Sequence, residues 1–206
     1  RFRADDFQIP PHRQAEIVVS NPSWRISHTM DNLSIEQPTV LDIGRLINLH
    51  NKHLLTNLTQ EQIKEGFIRV TYDPDNFKSI INDNAIVVVK TQDEIVGYYL
   101  LGHSSKSPFL EYQFEALNMY TLDGIRLSEL KVACGAQAIL EKEYRGKGLT
   151  EKMLQKLIEQ VSSKYNYLFS SITKYNSNAY KVHKNSGYII VGEDESKYFV
   201  CLKLNS

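Results

Sequence analysis

The sequence predicts a mixed α/β fold arranged around a sheet, and three observations carry that prediction. From Thr39 onward, β-rich apolar runs alternate with segments whose apolar residues recur at helical spacing. Of the 206 residues, 42% are hydrophobic and 23% charged, ordinary globular usage for a chain short enough to share one core. The elements follow in the order helices, hairpin, helix, strand, helix, strand, helix, strand pair. Only the central pair in that order needs a crossover helix, so the sheet is mixed.

Residues 1–38 are proline-rich, hold the single tryptophan, Trp24, and lack sustained periodicity. They read either as an arm packed on the domain through Trp24 and Ile26, or as an extension foreign to a natural chain starting at Met30. The domain proper is expected over 39–206. Thr39 can cap a helix carrying Val40, Ile43, Leu46, Ile47 and Leu54. In Thr59-Gln60-Glu61-Gln62, a capping box lets Thr59 and Gln62 satisfy each other's amides and opens a helix through Ile63 and Phe67. Asp73-Pro74 supplies a cap and a first-position proline for a short helix with Phe77, Ile80 and Ile81.

Ala85–Thr91 and Ile95–Gly102, joined by Gln92-Asp93-Glu94, form a hairpin. Ser107-Pro108 starts a helix with Phe109, Tyr112, Ala116, Leu117 and Tyr120 on one side. Leu130–Leu140 is a long strand interrupted by Gly135. The helix from Leu149 sets Met153, Leu154, Leu157, Ile158 and Val161 against an outward face of Glu151, Lys152, Gln155, Lys156 and Glu159. Then come a strand at Tyr167–Ile172 and a helix from about Asn176 to Asn185, stopped by Gly187. Strands at Tyr188–Val191 and Tyr198–Leu204 close the chain.

Zero formal net charge argues for neither nucleic acid nor an anionic membrane as partner. No apolar run approaches the ~20 residues that span a bilayer. Cys134 and Cys201 lie far apart in apolar strands and read as small buried hydrophobes, and without a C-x-x-C spacing no zinc site is expected. A reducing, cytoplasmic setting is the expectation. His50 and His53 share a helix face without a third ligand, so they read as a surface pair, and no metal is expected.

The stretch Glu143-Tyr144-Arg145-Gly146-Lys147-Gly148-Leu149 carries the most chemistry, because it joins a strand to an amphipathic helix. Glycines at 146 and 148 permit a tight turn and close approach to a ligand, and the helix start offers unpaired N–H groups and the positive end of its dipole. A pyrophosphate fits there, with Arg145 and Lys147 as added positive charge. A P-loop is excluded, since Glu141 and Gly148 stand where its first glycine and its Ser/Thr belong. A dinucleotide fingerprint fails at its third glycine, which is Glu151.

This loop resembles the Q/R-x-x-G-x-G/A motif of the GNAT acetyltransferases, matching at Gly146 and Gly148, with Glu143 departing from the usual Gln or Arg. A second segment is similar to that family's N-x-x-A-x-x-x-Y-x-x-x-G-F/Y element at Asn176, Ala179, Gly187 and Tyr188. The resemblance covers about residues 39–204. It implies a mostly antiparallel sheet with one splayed parallel pair, helices on both faces, and acetyl-CoA as acyl donor to a primary amine. The acceptor would be a small-molecule or peptide amine, and a homodimer is among the assemblies it allows.

Carried over, the backbone of Ile139 and Leu140 would hold the pantetheine and polarise the thioester. Amides of Arg145, Gly146, Lys147, Gly148 and Leu149 would hold the pyrophosphate, and Asn176 would cap its helix or bond the cofactor. His183 stands at the family's tyrosine, the proton donor to the leaving thiolate. Tyr180, one turn earlier, is the second candidate, and Glu141 is a candidate base. The other reading is a catalytically weak acyl-CoA-binding sensor or interaction module.

Overall fold

The computed structural model describes residues 33–63, 65–102, 108–134 and 137–204. Trp24, Ile26, Met30, Ser107 and Gly135 therefore lie outside the described residues, as does the side chain of Phe109. The first strand, β1 (Ser34–Glu36), precedes the expected domain start at Thr39. It pairs antiparallel with β2 (Ile86–Lys90), so part of the segment read as an arm is an edge of the domain's sheet.

Thr39 closes the entry to helix α1 (Ile43–Lys52) through Asp42, whose Oδ2 accepts from the Thr39 amide at 2.8 Å. Lys90 Nζ bonds the same carboxylate at 2.9 Å and Glu36 at 2.8 Å. That ties β1, β2 and α1 together around an Asp42 that is only 4% exposed. The Thr59–Gln62 capping box forms, yet α2 covers only Gln60–Ile63. The helix stops short of Phe67 because Gly66 adopts a positive φ of 123°, and Ile68 then exchanges backbone hydrogen bonds with His53 and Leu55. Residues 66–72 are thereby drawn beside the end of α1. In α3 (Pro74–Asn82), Asp73 caps Asn76 N–H at 2.7 Å and Phe77, Ile80 and Ile81 turn inward.

The hairpin pairs β2 with β3 (Ile95–Leu100), and α4 (Pro108–Met119) leads into a small hairpin, β4 (Thr121–Leu122) and β5 (Ile125–Arg126). The expected long strand is two strands. β6 (Val132–Cys134) runs parallel to β8 (Tyr167–Thr173), whereas β7 (Gln137–Leu140) runs antiparallel to β3. Since the two halves take different neighbours, the described residues form two four-stranded sheets, β1-β2-β3-β7 and β6-β8-β10-β9. Here α5 (Leu149–Val161) and α6 (Ser177–Asn185) flank β8, and β9 (Ile189–Glu193) and β10 (Lys197–Lys203) complete the second sheet.

Ile86–Val89 of β2 are all 0% exposed. Successive side chains of a strand point to opposite faces, so this sheet is covered on both. A large core joins the first sheet to α1, α3 and α5, and a smaller one gathers Ala116, Leu117, Leu127, Cys134, Phe169, Phe199 and Cys201. Both cysteines are buried free thiols, as their apolar setting leads one to expect. No helix among the described residues is long and apolar enough to cross a membrane.

Candidate active site

Where β6 gives way to β7, the sheet opens. β8 pairs with β6 only through Phe169, so Ser170–Thr173 face Gln137–Leu140 across a gap. The gap widens into a cleft of about 740 Å³ walled by both strands, by residues 65–70 and Tyr72, by the glycine loop with the start of α5, and by α6. It is the candidate active site because the edge of β7 that is unpaired among the described residues leads through the glycine loop to a helix N-terminus.

Antiparallel pairing decides which backbone groups face the gap. Leu140 lies opposite Gly97 and Ile139 opposite Tyr98, and the Glu141 N–H bonds the Val96 carbonyl at 2.9 Å. Hydrogen-bonded pairs alternate along such a ladder, so the N–H and C=O of Ile139 point to Tyr98. Those of Ala138 and Leu140 point to the open edge. Sequence inspection selects Ile139 and misses Ala138, because register is invisible without the partner strand. The Ile139 side chain is buried.

Beyond β7 the chain makes one 3₁₀ turn, Lys142–Tyr144, with the Tyr144 ring buried as an anchor. Gly146 and Gly148 follow at φ +74° and +70°, in a region that L side chains rarely adopt, and a Cβ at either would meet nothing within 4 Å. The loop thus bends through its glycines and leaves open space in front of α5. The first intrahelical bond of α5 runs from Lys152 N–H to Gly148 C=O. Amides before it point out of the helix start. Lys147 stands over the Tyr144 ring, 5.5 Å from its centroid. Arg145 is engaged elsewhere: its Nε donates to the Leu140 carbonyl at 2.9 Å and its guanidinium lies 3.6 Å from Glu65.

Asn176 lines the cleft and caps α6, its Oδ1 accepting from Ala179 N–H at 3.0 Å. His183 also lines the cleft. Its Nδ1 lies 2.8 Å from the Ala179 carbonyl, an acceptor only, so Nδ1 carries the proton and Nε2 the lone pair. Nε2 is buried without a partner, and burial depresses the imidazole pKa below its ordinary value, keeping the ring neutral. Tyr180 is not among the cleft-lining residues and packs against Tyr198 at a ring separation of 5.4 Å.

The expectation of a surface histidine pair is overturned. His50 is 0% exposed: Tyr98 Oη donates to its Nδ1 at 2.8 Å, and its Nε2–H donates to the Val70 carbonyl at 2.8 Å. Gln137 Nε2 in turn donates to Tyr98 Oη at 2.8 Å, so a buried relay joins the two walls of the cleft, from β7 to Val70. His53 closes α1 and lines the cleft. Glu141 stands 3.7 Å from His53 Nε2 and bonds Lys52 at 3.3 Å. Burial, opposed by Glu141 and assisted by Arg145 and Lys52, holds the His53 pKa low. The helical face of α1 packs against β3, which is why its histidines turn inward.

At the other end of the cleft stand Arg69, Gln113, Ser171 and Lys197. The Arg69 guanidinium lies over the Phe67 ring at 5.2 Å, and Lys197 Nζ over the Tyr112 ring at 3.9 Å. Burial and then the Arg69 charge push the Lys197 pKa down, against Asp194. Gln113, 3% exposed, donates through Nε2 to Ser171 Oγ at 3.2 Å, leaving Oε1 buried and without a partner.

Comparison with known proteins agrees with this architecture. Residues 52–188 match the model of the acetyltransferase (GNAT) family. No curated protein matches the chain. Among solved structures, the yncA protein of Salmonella typhimurium, determined with acetyl-CoA, superposes with a TM-score of 0.55 at 17% identity over 85% of this chain and 95% of that one. The PaiA N-acetyltransferase of Thermoplasma acidophilum, in complex with coenzyme A, gives 0.56 at 14% identity over 83% and 98%. Ribosomal-protein-alanine N-acetyltransferase from Brucella melitensis gives 0.53 at 18% identity over 83% and 99%. With the splayed strands and the glycine loop at a helix start, the family match establishes that this chain belongs to the GNAT acetyltransferases and is an acyltransferase.

Proposed function

We propose that the chain moves the acetyl group of acetyl-CoA to a primary amine by direct attack, within the cleft between β7 and β8. The observation that carries the reading is the continuous path from the open edge of β7 to the Gly146–Gly148 loop and the start of α5. Backbone groups of Ala138 and Leu140 pair with the pantetheine arm as a neighbouring strand would, and amides of residues 146–149 hold the pyrophosphate. Lys147 adds charge there. Arg145 acts as a positioning residue, since it fixes the Leu140 carbonyl and leans on Glu65. Asn176 shapes the wall as the cap of α6.

Acetyl-CoA supplies an acetyl thioester. The amide of Leu140 at the open edge stabilises charge developing on its carbonyl oxygen. An acceptor ammonium must lose a proton before it can attack. His53 takes that proton, as a neutral imidazole on the cleft wall, and Glu141 holds the charge that results. His183 serves the leaving sulfur. Its neutral Nε2 accepts the second proton, which the attacking nitrogen sheds once it is bonded to the acetyl carbon, and passes it to the thiolate as the C–S bond breaks.

A thermal-shift titration with acetyl-CoA, on the parent and on Gly146→Trp, tests the reading. A ligand that binds only the folded state stabilises it by ~2.7 kcal/mol at a hundredfold excess over its dissociation constant. The parent should shift and the indole, filling the space before α5, should abolish the shift. No shift of the parent at millimolar acetyl-CoA would overturn the reading. Binding with no turnover on an amine panel would leave an acyl-CoA-binding module instead.

A further inference from the structure

The second wall of the gap, β8, carries an open edge of its own. The β8–β10 ladder sets Thr173 opposite Lys197 and Tyr167 opposite Lys203 without a break. Just beyond its two ends, the Lys174 N–H bonds the Ser196 carbonyl and the Leu204 N–H bonds the Asn166 carbonyl, each at 2.8 Å. Hydrogen-bonded pairs alternate between those ends, so the backbone groups of Leu168, Ser170 and Ile172 point to β10. Those of Tyr167, Phe169, Ser171 and Thr173 point the other way, as the bond from the Tyr167 N–H to the Lys131 carbonyl at 3.2 Å shows. Past Phe169 that edge faces the gap rather than β6.

The Asn176 N–H takes the Thr173 carbonyl at 2.8 Å, but the Ser171 carbonyl and the Thr173 N–H have no partner among the described residues. Both residues line the cleft. Gln113 Nε2 holds Ser171 Oγ at 3.2 Å, which draws that hydroxyl to α4. A carbonyl and an N–H two residues apart on one strand edge bracket a single residue of a parallel neighbour, whose N–H bonds the carbonyl and whose C=O bonds the N–H. The chain already uses this device once. The His53 carbonyl and the Leu55 N–H hold the N–H and C=O of Ile68 at 2.9 and 2.8 Å.

Such a bracket fits a ligand that carries an N–H and a C=O on either side of one carbon, which is an α-aminoacyl group. A polyamine has no carbonyl, and a lysine side chain has none beside its amine. With the edge of β7 given to the pantetheine arm, the edge of β8 is left to the acceptor. A parallel neighbour runs with β8 past Thr173 toward Tyr175, which is 71% exposed, so the chain after that carbonyl leads out to solvent.

Building on the acetyl-transfer reading above, we infer that the acceptor is the α-amino end of a peptide, its amine N–H received by the Ser171 carbonyl and its first carbonyl by the Thr173 N–H. Once His53 has taken one proton from the ammonium, the Ser171 carbonyl holds one of the two remaining N–H bonds and leaves the lone pair free to attack the thioester.

The test measures CoA thiol release by the full chain, with product masses, for acetyl-CoA and tetrapeptides that together present each common residue at a free amino end. The best peptide is remade with its first residue as the β-amino homologue, which sets the amine one carbon further from the carbonyl. Spermidine and an amino-blocked lysine peptide complete the set. The same assays and the acetyl-CoA thermal shift are run on Thr173→Pro, which deletes the N–H without breaking a hydrogen bond among the described residues, and on Thr173→Ala, which keeps it.

At least one peptide should be acetylated at its α-amine. Its kcat/KM should stand about tenfold above that of its β-homologue, the factor of one well-made hydrogen bond, and above those of spermidine and the lysine peptide. Thr173→Pro should keep the acetyl-CoA shift and raise the peptide KM about tenfold with little change in kcat, whereas Thr173→Ala stays within about twofold of the parent. Equal or better transfer to the β-homologue, spermidine or the lysine peptide overturns the inference, as does binding of acetyl-CoA with no peptide acetylated. An unchanged peptide KM in folded Thr173→Pro also overturns it. So does a folded Thr173→Pro protein that loses the acetyl-CoA shift, since the edge then serves the cofactor arm. Should Thr173→Pro fail to fold, the β-homologue comparison decides alone. Absence of any acetyl-CoA shift in the parent overturns the acetyl-transfer reading itself, so the two failures are distinguishable.

Discussion

Removing one oxygen from the buried relay behind the cleft should weaken the whole protein. In Tyr98→Phe, the ring stays in place while the hydroxyl that receives Gln137 Nε2 and donates to His50 Nδ1 is lost. His50 and Tyr98 are both 0% exposed, so no water can replace it. An orphaned buried acceptor costs ~1–3 kcal/mol, and the lost bond to the half-buried Gln137 adds about 1 kcal/mol, for a total of roughly 2–4 kcal/mol. In a domain of this size that is a melting shift of roughly 4–16 °C. Urea unfolding followed by tryptophan-independent far-UV circular dichroism measures it. A double variant, His50→Leu with Tyr98→Phe, removes both partners and should cost less than the sum of the single changes. A Tyr98→Phe protein within about 0.5 kcal/mol of the parent would refute the relay, because the penalty assigned to an unsatisfied buried group starts near 1 kcal/mol.

Three histidines with depressed pKa values, His50, His53 and His183, predict acid sensitivity. Each is held neutral chiefly by burial, so the unfolded chain binds more protons below the ordinary histidine value of 6.5. Stability is therefore full above that pH and falls as pH drops below it, by up to about 1.4 kcal/mol per pH unit for each group. Urea midpoints compared at pH 7.5 and 5.5 check the sign; an unchanged or higher midpoint at pH 5.5 would contradict it. Gly192→Ala should destabilise by about 1–3 kcal/mol, as for other overpacked sites. Its Cβ would overlap the Tyr120 ring, which is itself wedged against Phe199 at 4.8 Å. A denaturant midpoint equal to the parent's would show that the ring can step aside.

Local signals survive into the structure wherever the reason for them is local. The Asp73-Pro74 start of α3, the Thr59–Gln62 box and the Asn176 cap of α6 all form, because each satisfies amides within one turn of itself. Gly146 and Gly148 take the positive φ that their loop requires. The hairpin of β4 and β5 turns at Asp123-Gly124, whose φ values of +51° and +81° are those of a tight turn, and sequence reading missed it because strands of two residues carry no periodicity.

Sequence by itself thus determined the alternation of elements, the glycine loop at a helix start and the membership these imply. Tertiary structure alone decided the division of Val132–Leu140 between two sheets, and with it the gap that makes the cleft. It also decided that the backbone groups of Ala138 rather than those of Ile139 face that gap, that His50 is core while His53 is a wall, and that Arg69 and Lys197 share one end. Those facts depend on partners far apart in the chain, 43 residues for Leu140 and Gly97 and 128 for Arg69 and Lys197. A hydrogen-bond register or a shared cavity wall is a relation between distant segments, and composition and spacing along one segment carry no record of it.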